Sequence, residues 1–144
     1  MKKILSIITF VAVAFSYSSC SSDSDSKSSD ISAKINGAEK RFKDAIVEED
    51  VYDDYTDFIV DAVQTDDATK MLSISLGKET TGADSVYFIQ YFDGAVFYQA
   101  SESGITANIT ESSNTKIKGT FSAILTSESG TTVTITNGVI NVAH

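Results

Sequence analysis

The sequence predicts an all-β fold: an antiparallel meander of about eight or nine strands, arranged as a β-sandwich or a flattened barrel. Three observations support this prediction. Apolar and polar residues alternate with a period of two from Ile31 onward, which is typical of strands with one buried face. Turn dipeptides separate the alternating segments. The chain contains no proline, so no strand ladder lacks a backbone donor.

The alternation locates most of the strands one by one. Clear examples are the segments 31–35, 57–62, 72–76, 105–109 and 116–125. The sequence SESGT at residues 127–131 predicts a hairpin loop between a strand at 115–126 and another at 132–142. Residues 38–54 allow two interpretations, because their apolar spacing fits a short helix while Ile46-Val47 and the preceding turn favour a strand. We expect the strand.

The dipeptide Asn36-Gly37 predicts a tight two-residue hairpin, since a type I′ turn requires positive φ at both central residues. This turn would place Lys34 opposite Glu39 and Ile31 opposite Phe42. The first pair joins opposite charges and the second joins apolar side chains, so both stabilise the register.

A second hairpin, at residues 86–100, is the segment most informative about function. A two-residue loop at Asp93-Gly94 would place Phe92 opposite Ala95 and Gln90 opposite Phe97. One face of the hairpin is then rich in phenylalanine, and the other holds the candidate ligand-binding residues Tyr87, Tyr91 and Tyr98. Burial on both faces is one interpretation. The other is an exposed tyrosine platform for a glycan or a protein partner.

The first nineteen residues have the parts of a secretory signal peptide. Lys2 and Lys3 form a positive start, and Ile4–Phe15 is an apolar run of twelve residues. That run is too short to cross a hydrocarbon core of ~30 Å as a helix. Small polar residues follow it, and then Cys20, which is the only cysteine in the chain.

This arrangement resembles the lipobox of bacterial lipoproteins, with Ser18 and Ser19 at the small positions before Cys20. The resemblance implies cleavage before Cys20 and attachment of lipid to its thiol, which would anchor the protein to a membrane. Ordinary cleavage and release of a free domain is the alternative. Residues 21–30 contain no apolar side chain and predict a flexible tether. Their Ser/Asp-rich composition resembles the export signals of Bacteroidota surface lipoproteins and implies display on the outer membrane.

We therefore divide the chain into a signal peptide at 1–19, a lipidated cysteine with a tether at 20–30, and an all-β domain at 31–144. The formal net charge is −9, and loss of the two leader lysines changes it to −11. Such an acidic surface repels nucleic-acid phosphates, so we expect no nucleic-acid partner.

The sequence predicts no catalytic residue, no cofactor and no metal ion. His144 is the only histidine and lies at the terminus, where we expect fraying, so the sequence disfavours a histidine-based triad or a metal site with several histidine ligands. Carboxylates concentrate between Glu48 and Asp57, which predicts a solvated acidic loop. Asp53 and Asp57 are the candidates for a less favoured carboxylate-based hydrolase.

Two motifs resemble those of an uncharacterised family of small Bacteroidota lipoproteins. An early A-x-I-N-G strand occurs at 33–37, and a late hairpin carries K-G-T-F at 118–121 and T-I-T-N-G at 134–138. The resemblance covers most of the domain and implies an all-β lipoprotein, but it assigns no chemical role to any residue. The sequence thus favours a membrane-anchored, non-catalytic module that binds a glycan, a protein or a small apolar ligand. A structural or accessory role in an envelope assembly is the alternative.

Overall fold

The computed structural model describes residues 30–144, and these residues form nine β-strands. In chain order they are β1 (Asp30–Ile35), β2 (Ala38–Val51), β3 (Thr56–Gln64), β4 (Asp67–Gly77), β5 (Val86–Phe92), β6 (Phe97–Ser101), β7 (Ile105–Ser113), β8 (Lys116–Thr126) and β9 (Thr132–Ala143). A 3-10 helix, Glu102–Gly104, joins β6 to β7. The all-β prediction is confirmed. The predicted signal peptide, Cys20 and most of the tether lie outside the described residues.

All nine strands belong to one antiparallel sheet, in the order β6-β5-β4-β3-β2-β1-β9-β8-β7. A further pairing, between Gln99 of β6 and Thr126 of β8, joins the sheet to itself. Eight strands therefore form a closed ring, and β7 extends the sheet beyond β8 as an extra strand. Apart from β1–β9 and β6–β8, every pairing joins strands that are consecutive in the chain, as a meander requires.

The interior of the ring is filled by the apolar residues of the alternating pattern. In β1, for example, Ile31, Ala33 and Ile35 are buried, while the intervening side chains are partly exposed. The largest fully buried side chains come from seven strands of the ring and from β7: Phe42, Phe58, Ile31, Leu72, Ile74, Leu76, Ile89, Ile109, Ile117, Leu125, Ile135 and Ile140. Burial of this apolar surface is the main driving force for closing the sheet. Within residues 30–144, no helix has the length and hydrophobicity that spanning a bilayer requires.

The hairpin at Asn36-Gly37 forms as predicted. Both residues have positive φ, 49° and 82°. The register places Lys34 opposite Glu39 and Ile31 opposite Phe42. The turn is also bound to β9, because the Asn36 side-chain oxygen accepts the Thr134 N–H at 2.9 Å and the Asn36 N–H donates to the Thr134 carbonyl at 2.8 Å.

Two further local predictions are confirmed. Residues 38–51 are a strand rather than a helix, and β2 pairs with β3 along most of its length. A bulge at Asp44, where φ is 54°, adds an extra residue to the strand, and this explains why the spacing of the apolar residues resembles that of a helix. The SESGT segment is the loop between β8 and β9, closed by a hydrogen bond of 2.8 Å from the Ser127 N–H to the Thr131 carbonyl.

Contrary to the expected fraying, the structure places the terminal His144 in contact with the sheet. The His144 N–H donates to the Thr115 carbonyl at 3.1 Å, and its Nε2 lies 3.1 Å from the Ser113 carbonyl. The imidazole also packs against the Phe58 ring, edge to face, with a centroid distance of 5.1 Å. These contacts hold the last residue against the β7–β8 turn and the core.

Candidate functional site

The hairpin at residues 86–100 differs from the predicted register by two residues. Its loop contains the four residues Asp93–Val96. Phe97 therefore pairs with Phe92 and not with Gln90, the predicted partner. The physical reason is the Asp93 side chain, whose Oδ1 accepts the N–H groups of Ala95 at 2.9 Å and Val96 at 2.8 Å. These hydrogen bonds hold the pKa of Asp93 below its ordinary value. A shift of two keeps the paired residues of 88–92 and 97–100 on their predicted faces.

The tyrosine face of this hairpin points into the core. Tyr91 is 5% exposed and Tyr98 is 8% exposed. Their hydroxyl groups find partners at the edge of the core, where Tyr91 donates to Gln64 Oε1 at 3.3 Å and Tyr98 donates to Asp93 Oδ2 at 3.2 Å. An exposed platform that includes Tyr91 and Tyr98 is therefore wrong. Burial on both faces is also wrong, because the opposite face meets solvent.

Tyr87 does not join the other two tyrosines. The β4–β5 register shifts between Ser75 and Leu76, so Tyr87 is the extra residue of a bulge and leaves the inward face. It is half-buried and lies at the far end of β5 from the hairpin loop. Burial, together with the neighbouring Asp57 carboxylate, raises the pKa of Tyr87.

The solvent-facing side of the hairpin is the phenylalanine side. Met71, Phe92 and Phe97 are consecutive partners across β4, β5 and β6, and they form an apolar row on the outer surface. The rings of Phe92 and Phe97 stack with a centroid distance of 4.5 Å and an interplanar angle of 30°. Phe97 is 53% exposed, and Val96 beside it is also exposed. The outer ring of this stack is therefore available to a ligand.

A row of uncharged polar side chains runs beside the apolar row. Ser73, Gln90, Gln99 and Thr126 are successive cross-strand partners from β4 to β8. The two rows lie two residues apart along each strand, which corresponds to about 7 Å on one face of a sheet. The amide groups of Gln90 and Gln99 are therefore on the same outer face of the sheet as the exposed Phe97.

The two rows meet in an open groove of about 860 Å³, which we call the hairpin groove. Gln90, Phe97 and Gln99 lie on one side and Thr126–Ser129 on the other, with Ala95 and Val96 at one end. Glu128 is the only charged side chain in this lining. A groove with one exposed aromatic ring and several neutral hydrogen-bonding groups is suited to an uncharged polar ligand.

The acidic segment is only partly a loop. Glu48 to Asp50 belong to β2 and Asp57 to β3, while Asp53 lies in the exposed turn between these strands. Asp57 is buried and faces a cleft that Asp53 does not line, so the structure does not bring this predicted carboxylate pair into one site. Within residues 30–144, no three or more His, Cys, Asp or Glu side chains are grouped to hold a metal ion.

No protein-family model matches the chain, and comparisons with curated proteins and with solved structures also find no match.

Proposed function

We propose that this protein is an exported, lipid-anchored module that binds a neutral glycan in the hairpin groove and is not an enzyme. The observation that carries the proposal is the exposed Phe97 ring, stacked on Phe92 and bordered by Gln90 and Gln99. The C–H face of a sugar ring packs well on an aromatic ring, and glutamine amides both donate to and accept from sugar hydroxyl groups. The acidic surface makes a nucleic-acid ligand unfavourable.

The low charge of the groove supports a neutral ligand. A formal charge of −9 is spread over the chain, yet Glu128 alone is charged in the groove lining. An uncharged glycan that binds there removes water from amide and hydroxyl groups, and hydrogen bonds to the glycan offset that cost. Few charged groups lose water, so the larger cost of desolvating charge is avoided.

We further infer that the closed ring is a flattened barrel rather than a β-sandwich. All nine strands belong to one sheet, and the Gln99–Thr126 pairing supports continuous closure, whereas a sandwich consists of two separate sheets. The same pairing brings Thr126 and the β8–β9 loop beside the β5–β6 hairpin. Closure of the barrel is thus what forms the second wall of the hairpin groove.

The Phe97→Ala substitution tests the glycan proposal. We expect it to weaken binding to neutral oligosaccharides by about five- to tenfold, because the stacking surface is lost. The measurement is a screen of the purified protein against neutral hexose and N-acetylhexosamine oligosaccharides, followed by calorimetric titration of the best ligand. Ile124→Ala is the matched control, since Ile124 is also exposed on the sheet surface but lies outside the groove. Equal affinity of the Phe97→Ala variant and the wild type would refute the proposal.

An accessory role in an envelope assembly is the second candidate function. It is favoured by the exposed apolar side chains of Met71, Val96 and Phe97, since contiguous apolar surface also occurs at protein interfaces. Mild crosslinking in cells distinguishes the two. A stable protein partner whose capture depends on Phe97, with no glycan binding, would favour the accessory role.

The anchor is proposed from the sequence motif that ends at Cys20, and it has its own test. Cells fed labelled palmitate are expected to label the wild-type protein and not the Cys20→Ala variant, because alanine has no thiol to acylate. The variant should also leave the membrane fraction, since the remaining chain has no acyl group to hold it. Unlabelled wild-type protein, or a variant that stays with the envelope, would contradict the anchor.

The position of the tether fits display of the hairpin groove. The tether joins β1 at Asp30, the end of the strand opposite the Asn36-Gly37 turn. Asn36 contacts β9 close to the β8–β9 loop, which is one wall of the groove. A domain held at Asp30 would therefore present the groove away from an outer-membrane anchor and toward external ligands.

We also propose that the chain belongs to the family of small Bacteroidota lipoproteins that its motifs resemble. The motif residues have structural roles that support it: Asn36 binds the turn to β9, and Gly138 lies against the ring of Phe121. A family that keeps these residues would keep the barrel while its surface groove varied.

A further inference from the structure

A second cleft lies at the end of the sheet where the β2–β3 turn meets the β4–β5 loop. Its volume is about 680 Å³, and its lining includes Tyr52, Tyr55 and Tyr87; we call it the tyrosine cleft. Tyr52 and Tyr55 stack with a centroid distance of 4.6 Å and an interplanar angle of 23°. They are 45% and 58% exposed, respectively. Two large aromatic rings are thus held together at a surface that water reaches.

The charge of this cleft is opposite in character to the neutral hairpin groove. Four of its lining residues are acidic: Asp54, Asp57, Asp84 and Glu102. Lys78 is the only basic residue in the lining, and its Nζ already lies 2.8 Å from Glu49 Oε1. Lys78 therefore pairs with a carboxylate that does not line the cleft. The four acidic residues of the lining take part in none of the ion pairs among residues 30–144.

Asp57 is the least exposed of the four acidic residues in the lining. It is only 5% exposed, yet none of the ion pairs among residues 30–144 includes it. A carboxylate that lies largely out of water and has no paired base attracts a cation more strongly than an exposed one does. Tyr87 beside it offers a neutral phenol, whose pKa burial and Asp57 raise, but a phenol supplies no positive charge.

We propose that the tyrosine cleft binds an organic cation, with an alkylammonium group held between the tyrosine rings and the Asp57 carboxylate. The negative face of an aromatic ring attracts a cation, and such rings are the usual recognition element for quaternary ammonium groups. The carboxylates add Coulomb attraction in a partly desolvated cleft. This site is separate from the hairpin groove, so the cation proposal does not depend on glycan binding.

The test compares choline with its neutral isostere, 3,3-dimethyl-1-butanol, in NMR titrations of the purified protein. Both have the same shape, so only the positive charge differs. We expect choline to shift the ring signals of Tyr52, Tyr55 and Tyr87 and to bind at least about fivefold more tightly than the isostere. Rising salt should weaken choline binding and leave the isostere unchanged. Equal binding of the two probes, or no tyrosine shifts with choline, would overturn the proposal.

Substitutions in the tyrosine cleft test whether choline binds there. Tyr55→Ala should weaken choline binding by about fivefold, whereas Tyr55→Phe should preserve it, because phenylalanine keeps the ring. Asp57→Asn should weaken binding similarly by removing the buried charge while keeping the shape. If the Asp57→Asn variant does not fold, Asp84→Asn provides the same test at an exposed position. Folded carboxamide variants that bind choline as tightly as the wild type would overturn the proposal.

Discussion

Replacing Phe42 with alanine is expected to lower the free energy of unfolding by about 3–5 kcal/mol. Phe42 is 1% exposed and lies on β2 between Ile31 of β1 and Gln64 of β3. Its ring meets Tyr91 edge to face at a centroid distance of 6.4 Å. Hydrogen-bonded strands on both sides prevent the backbone from collapsing into the space left by the ring, so most of the cavity would remain.

Chemical denaturation of the two proteins measures this loss. Phe97→Ala is the matched control, because it removes the same side chain from a position that is 53% exposed. Surface substitutions of that kind change stability by within about 0.5 kcal/mol. A large loss for Phe42→Ala with a small change for Phe97→Ala would separate the core aromatic from the proposed ligand-binding aromatic. Equal losses would mean that Phe97 also supports the fold.

The strands were predictable because an alternating pattern directly reports one-sided burial. In β4, Leu72, Ile74 and Leu76 are buried and Ser73 is partly exposed, as alternation requires. The register of the β1–β2 hairpin was also predictable, since Asn36 and Gly37 both tolerate positive φ. What the pattern does not contain is the closure of the sheet, which depends on Gln99 meeting Thr126.

The Asp93-Gly94 hairpin was mispredicted for a physical reason. An aspartate in a turn can tolerate positive φ or can accept backbone N–H groups with its side chain, and here Asp93 does the second. The resulting shift of two residues is invisible to alternation, because both registers keep the same faces. The alternation also does not report the partner of the inward-facing Tyr91, because its hydroxyl donates to Gln64, which lies 27 residues away in the chain.

The tyrosine cleft was missed because it is assembled from three separate segments. Tyr52 and Tyr55 come from one turn, Asp84 and Tyr87 from the β4–β5 region, and Glu102 from the 3-10 helix. A local signal did exist: two tyrosines flank Asp53-Asp54 in a turn, where large aromatic residues have no core to fill. The bulge that turns Tyr87 toward this cleft has no comparable signal, since it depends on the pairing of β4 with β5.

Gly119 has no room for a side chain, and Gly119→Ala is expected to cost about 3 kcal/mol of stability. A Cβ built there would lie 2.6 Å from the Asn108 carbonyl oxygen and 2.8 Å from the Ile109 Cα. Both contacts are with backbone atoms of β7, so no side-chain rotation can relieve them. The chain can respond only by moving β7 away from β8.

Such a response is possible because β7 is the extra strand outside the closed ring. Its named strand partner is β8, supplemented by an isolated bridge between Gly82 and Ile109. We therefore expect Gly119→Ala to accelerate amide hydrogen exchange in β7 more than in β3, as well as lowering the denaturation midpoint. Thr120→Ala, the adjacent exposed position of β8, is the control and should leave both measurements nearly unchanged. Uniformly faster exchange throughout the sheet would instead mean that β7 is an integral part of the barrel's cooperative unit, and that its position beyond the ring carries no separate stability.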